Sequence, residues 1–200
     1  MQPDLESRVL GHFAESARAT AASRELAVPI VRAVSVIAET LRSGGKVLAC
    51  GNGGSAADAQ HFVAELVNRF ELTRDPLAAI ALTTDSSILT SIGNDYGYEQ
   101  VFDKQVRALG RAGDVLVAIS TSGTSGNVLQ AVRRAHERGL RVIALTGNGG
   151  GSVPGLLSPG DVHLCVPHAV TARIQEVHIL ALHCLCDGID ALLFGELPHP

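Results

Sequence analysis

Two hundred residues, 46% hydrophobic and 18% charged, suit one large domain with a substantial core. A formal charge of −4 argues against broad nucleic-acid binding and supplies no basic tail for an anionic membrane. Met1 to Glu6 lacks the basic patch and apolar run of a signal peptide, and no stretch approaches roughly 18 uninterrupted apolar residues, so a cytoplasmic protein with no membrane partner is expected.

From about residue 4 to 43, Ala, Val, Ile and Leu recur at helical spacing, and Pro29 predicts two helices meeting near Ala27 to Pro29. The pattern then shifts to a short apolar strand, Lys46–Cys50, followed by Gly51-Asn52-Gly53-Gly54-Ser55 and a helix to about Arg69. Further strands are expected at Ala78–Leu82, Val115–Ile119, Arg141–Leu145 and Val162–Val166. Helical segments fall at about 86–92, 98–109, 127–138 and 152–157, and a long helix closes the chain from Ala172 to Phe194. Short apolar strands alternating with helices imply a parallel sheet covered on both faces, an α/β fold with its chemistry on loops at the strand C-terminal ends. No linker divides the chain, so residues 1–200 read as one domain with 1–43 as an N-terminal helical arm. Such an arm, apolar on one face and outside the sheet, favours association with further copies of the chain.

Cys50, Cys165, Cys184 and Cys186 form no C-x-x-C pair and read as reduced, mostly buried thiols. Cys184 and Cys186 fall on different sides of a helix, since two steps turn roughly 200°. Aromatic residues make up only 4% of the chain, so stacking on bases or sugar rings is not expected to dominate binding.

The stretch Ser120-Thr121-Ser122-Gly123-Thr124-Ser125 sits between an apolar strand and a helix. Hydroxyls and backbone N–H groups at such a turn cradle a phosphate, helped by the unpaired donors and partial positive charge of the helix N-terminus. No Lys or Arg lies between Asp114 and Val132, so neutral donors have to hold the anion. A serine-rich helix cap is the ordinary alternative, but six small or hydroxylated residues exceed what one cap needs. Gly51-Asn52-Gly53-Gly54-Ser55-Ala56 partly matches a dinucleotide fingerprint. The fingerprint expects an acid about 20 residues later at the end of the next strand; the nearest in that setting, Asp85, is about 30 residues on, and two loops suit a sugar phosphate better.

His61 and Glu65 lie four apart on one helical face and can reach one divalent metal, usually zinc, although an exposed His–Glu pair is the commoner outcome. The last helix adds Gln175, Glu176, His178 and His183. Gln175 and His183 are about 80° apart around that helix and roughly 12 Å along it, so they reach one ion only by leaning together or from separate copies. Spacing alone leaves the metal open. His178 reads as structural, His12 and His136 as solvated helix positions, and His199 as part of a terminal tail. Asn94-Asp95, just past a short helix, can bond sugar hydroxyls or simply form a turn.

The segments CGNGGSAADAQHFVAEL (50–66), ALTTDSSILTSIGNDYGYEQVF (81–102), AISTSGTSGNV (118–128) and TARIQEVHILALHCLCDGID (171–190) together resemble the sedoheptulose-7-phosphate isomerases (phosphoheptose isomerases) of the sugar-isomerase (SIS) superfamily. The resemblance runs from the N-terminal helices to about Phe194. It implies a flavodoxin-like three-layer αβα fold with a five-stranded parallel sheet, a homotetramer with active sites at subunit interfaces, and one zinc ion per subunit. It also implies conversion of sedoheptulose 7-phosphate to D-glycero-D-manno-heptose 7-phosphate on the route to bacterial lipopolysaccharide heptose.

By the same resemblance, Ser120, Thr121, Ser122 and Ser125 hold the phosphate, and Asn52, Gly53, Gly54, Ser55, Asn94, Asp95 and Gln175 line the sugar. His61, Glu65, Gln175 and His183 match the zinc positions, and Glu65 and His183 match the acid–base pair. Ala172 stands where some members carry Asp, so any role of that acid is absent. A related adaptor that binds the bacterial replication initiator lacks the acid–base residues, which this chain has. Isomerases of other sugar phosphates, such as arabinose 5-phosphate, often carry extra domains for which this chain has no room.

Overall fold

The computed structural model describes residues 4–195; His199 lies outside them. Helices α1 (Leu5–Ala22) and α2 (Ala27–Arg42) open the chain, joined by a 3-10 turn over Ser23–Leu26. The joint therefore precedes the expected Ala27–Pro29. Pro29 sits in the first turn of α2, where a backbone N–H has no intrahelical partner and its loss costs little.

Five strands form one sheet: β1 (Val47–Gly51), β2 (Ala79–Ala81), β3 (Val115–Ser120), β4 (Arg141–Gly147) and β5 (Val162–Val166). All pair in parallel, in the order β2-β1-β3-β4-β5. Between them run α3 (Gly54–Val67), α4 (Ser86–Tyr96), α5 (Val101–Leu109) and α6 (Gly126–Glu137), and α7 (Thr171–Phe194) closes the fold. The sheet is flavodoxin-like, as expected. Alternation along the strands makes two cores. Val47, Ala49, Val117, Ile119, Ile143 and Leu145 pack with residues of α2, α3 and α7, while Leu48, Cys50, Leu116, Ala118 and Val142 pack with residues of α5 and α6. Apolar side chains on both faces are what a parallel sheet buried on both sides demands.

α7 is 24 residues long and apolar enough, by length and composition, to cross a membrane. Ile174, Val177, Leu182, Leu185 and Ile189 are instead buried within the protein, as in the central helix of a packed domain. The segment 152–157 is a run of turns rather than the expected short helix. The N–H of Ser152 donates to Gly123 O at 2.9 Å, which holds this segment against the loop after β3. All four cysteines are free; Cys50 and Cys186 are buried, whereas Cys184 is exposed on the other side of α7.

The strand order reverses between β1 and β3. Successive helices leave the sheet in opposite directions there, so the loops after β1 and β3 open a crevice at the strand C-terminal ends. Those loops are Asn52–Gly53 and Thr121–Ser125.

Candidate active site

The loop after β3 is built as a cradle. Gly123 has φ +65°, and a Cβ there would stand 1.9 Å from Gly150 O. Only glycine lets the loop press against the 147–151 turn, an approach also fixed by Gly147 N–H donating to Thr121 O at 3.0 Å. Ser125 is the N-cap of α6, yet its side chain makes no capping hydrogen bond. Its hydroxyl meets Ser120 Oγ at 3.0 Å instead. Ser122 Oγ accepts from Thr124 N–H at 3.2 Å and from Thr124 Oγ1 at 2.9 Å. Plain helix capping therefore does not account for this serine-rich run. Hydroxyls gather in front of a helix N-terminus that Ser125 does not cap, with Val128 N–H alone taken by Asn127 Oδ1 at 3.0 Å, and such a cluster of donors is the chemistry of an anion site.

The loop after β1 is tied to that cradle by a residue the sequence reading did not single out. Asn127, buried in the first turn of α6, donates to Asn52 Oδ1 at 2.8 Å and accepts from Asn52 Nδ2 at 2.8 Å. Its place two residues after the hydroxyl run, inside the segment 118–128 that carries the family resemblance, is the sequence signal that points to it. Gly53 (φ +56°) caps α3, and Ser55 is buried in its first turn. Asp85, the distant acid of the dinucleotide reading, caps α4 by accepting from Ile88 N–H at 2.9 Å. Asn94 and Asp95 lie inside the last turns of α4 rather than beyond a shorter helix. Asn94 Nδ2 donates to Asp95 Oδ1 at 2.8 Å, and both side chains are exposed.

α3 and α7 lie side by side, running in the same direction. Gln175 rests on Gly54, where an added Cβ would stand 2.4 Å from Gln175 Nε2. Two turns further along, His61 Nε2 lies 3.0 Å from His183 Nε2. Glu65 Oε1 is 3.3 Å from the same His61 nitrogen. Glu65 and His183, from distant parts of the sequence, thus share one neighbour within a single chain. Phe70 stacks on His183 with ring centroids 5.5 Å apart, fixing the imidazole plane. No periodicity in the sequence pointed to Phe70. Asp58, one turn before His61 on the same face, also escaped notice. Its Oδ2 is buried without a partner among the described residues. Burial pushes its carboxyl up, and the nearby His61 opposes that shift.

Two imidazole nitrogens and a carboxylate oxygen at 3.0 and 3.3 Å are a donor set that suits zinc. Ligands at ~2.0–2.2 Å around a tetrahedral ion stand a little over ~3 Å from one another. Among the described residues, no group of three or more His, Cys, Asp or Glu side chains is placed to hold a metal ion. The fit is therefore one of donor type and pairwise spacing. Gln175 does not join this cluster, because parallel packing carries it to Gly54, about 10 Å back along α3.

His178 is fully buried, as its structural reading anticipated, and its Nε2 lies 3.0 Å from Thr146 O. Burial lowers its pKa from 6.5 to about 4. The unfolded chain therefore binds a proton that the folded chain refuses between those values, and stability falls as pH drops through that window. Denaturant unfolding from pH 7 to 4 is expected to show a loss of up to about 3 kcal/mol that is missing in His178→Gln. Equal slopes for the two proteins would contradict this. His136 is not a free solvated histidine: its Nε2 meets the buried Asp161 at 2.8 Å. His12 is exposed as expected.

The SIS domain family model matches residues 12–147. The phosphoheptose isomerase of Aromatoleum aromaticum is 66% identical over 193 residues, covering 96% of this chain and 98% of that protein. A solved phosphoheptose isomerase from Neisseria gonorrhoeae is 58% identical with a TM-score of 0.90, covering 94% of this chain and 99% of the other. One from Francisella tularensis is 45% identical with a TM-score of 0.91 at the same coverage. Sharing their backbone and much of their sequence over nearly the whole of its length, this chain belongs to the phosphoheptose isomerase family of SIS-domain proteins.

Proposed function

We propose that the chain isomerises sedoheptulose 7-phosphate to D-glycero-D-manno-heptose 7-phosphate, in the supply of heptose for bacterial lipopolysaccharide. The meeting of Glu65 and His183 at one nitrogen of His61 carries this reading. A ketose-to-aldose shift moves a proton from carbon 1 to carbon 2 through an enediol and exchanges a second proton between the two oxygens. The Glu65 carboxylate is a suitable carrier for the first, and the His183 imidazole for the second. The hydroxyl cradle at 120–125 and the N-terminus of α6 anchor the phosphate, and Asn52, Gly53, Gly54, Ser55 and Gln175 hold the sugar between. Asn94 and Asp95 complete the sugar site in this reading.

His61, Glu65 and His183 would hold a zinc ion, one per subunit, with Gln175 brought to it by a shift of its side chain or from another copy. Zinc would supply Lewis-acid polarisation of the carbonyl and hydroxyl oxygens. His61→Ala is expected to lose bound zinc by elemental analysis; unchanged metal content would remove His61 from the ligand set.

A cytoplasmic homotetramer with active sites at subunit interfaces is part of the same proposal. Leu5, Val9 and Phe13 form an exposed apolar stripe on α1. A groove of about 580 Å³ between α2 and α7, lined by Ile30, Val31, Val177 and Leu180, supports association with further copies. His61 is 44% exposed in the single chain, so a neighbouring subunit would be needed to exclude water from the reacting atoms.

Purified protein mixed with sedoheptulose 7-phosphate tests the activity. Aldose 7-phosphate is the expected product. No product, with or without added zinc, would favour the non-enzymatic adaptor reading, and preference for arabinose 5-phosphate would redirect the substrate.

A further inference from the structure

Arg74 stands on neither of the two helices that carry Glu65 and His183, yet it binds both. Its side chain is 2% exposed. Nε donates to Asp190 Oδ1 at 2.8 Å, Nη1 to Leu66 O at 2.7 Å and Nη2 to Glu65 O at 2.9 Å. Glu65 O and Leu66 O belong to the last turn of α3, whose carbonyls have no partner within the helix. Asp190 lies seven residues after His183, two turns along α7 and on the same face. Cys186 sits between them: after burial, the charges of Glu65 and Asp190 push its thiol up while Arg74 opposes them.

We propose that Arg74 and Asp190 are positioning residues that lock the last turn of α3 to α7 and so set the placement of Glu65 against His183. The inference rests on the isomerase reading above. Around this point the α3–α7 contact is apolar and non-directional, with Phe62, Leu66, Leu182 and Leu185 in one core. Such packing tolerates small slides and rotations, whereas a planar guanidinium bonded to the carbonyls of Glu65, Leu66, Asn68 and Asp75 and to the Asp190 carboxylate does not. As a stability device alone the pair is a poor one, since a buried ion pair can often be replaced by well-packed apolar residues without loss.

Turnover, KM and thermal unfolding are measured together for the unaltered protein, Arg74→Lys, Asp190→Asn and the double variant Arg74→Met/Asp190→Leu. Arg74→Lys keeps the charge but loses the fork, and kcat is expected to fall ~10²-fold with KM nearly unchanged, as for a catalytic group displaced by about 1 Å. Asp190→Asn is isosteric and should lose less. The double variant is expected to recover thermal stability without recovering kcat. Recovery of both, or an Arg74→Lys protein with normal kcat, would overturn the inference and leave the pair purely structural. An inactive unaltered protein would instead overturn the isomerase reading, and this inference with it.

Discussion

Glu65→Gln is expected to lower turnover of sedoheptulose 7-phosphate at least ~10²-fold, the loss typical of removing a general base. The amide has the shape of the carboxylate but cannot accept a proton at neutral pH. Arg74 holds the backbone carbonyl of Glu65 rather than its side chain, so the substitution leaves that attachment intact. The helix also keeps Phe62 and Leu66 in the core, and folding should be unaffected. Steady-state kinetics with circular dichroism on the same sample checks both halves. A variant that folds and turns over at near-normal rate would remove Glu65 from the proton transfer.

Gly123→Ala is expected to damage the phosphate cradle as severely, through shape rather than chemistry. The new methyl would stand 1.9 Å from a backbone oxygen, Gly150 O, which no rotamer change can move aside. The backbone at φ +65° adds strain of ~1–2 kcal/mol for a residue with a side chain. The loop must therefore part from the 147–151 turn, breaking the contact in which Ser152 N–H donates to Gly123 O at 2.9 Å. Displacing even one hydroxyl from a dianion forfeits a charge-assisted hydrogen bond, worth ~1.5–3 kcal/mol, so KM should rise at least ~10-fold. Unchanged KM and melting temperature would show that the loop is not held as described. Ser122→Ala, with no steric demand, should raise KM more modestly.

The strands and both glycine- or hydroxyl-bearing loops were legible because each is a local signal. Val115–Ile119 is an unbroken apolar run, and the change to Ser120–Ser125 marks where it ends. His61 and Glu65 were legible as a pair because four residues bring two side chains to one helical face. Contacts between elements were not. Nothing in α7 reveals that it lies parallel to α3, so Gln175 was grouped with His183 when the packing gives it to Gly54. Asn127 and Asn52 are 75 residues apart, and their reciprocal amide bonds exist only because β1 and β3 are neighbours in the sheet. His136 looked solvated because Asp161, its partner, arrives from the segment before β5. The segment 152–157 differs for a similar reason: Ser152 N–H is held by Gly123 O of the β3 loop, and only single-turn bonds such as Leu156 N–H to Val153 O form within it.

The resemblance to a known family named Glu65 and His183 as a pair, whereas the periodicity of either helix alone offered no reason to join them. Their meeting at His61 is what the fold adds. Arg74 and Asp190 lay further from view, since an arginine in a loop and an aspartate in a long apolar helix carry no shared motif.

A crystal structure of the Glu65→Gln protein with sedoheptulose 7-phosphate bound measures the convergence of these groups directly. Phosphate oxygens are expected within hydrogen-bond reach of Ser120, Ser122 or Ser125 and the first turn of α6, with carbons 1 and 2 between position 65 and His183. A phosphate seated elsewhere, or reacting carbons more than ~10 Å from either residue in every pairing of subunits, would contradict it.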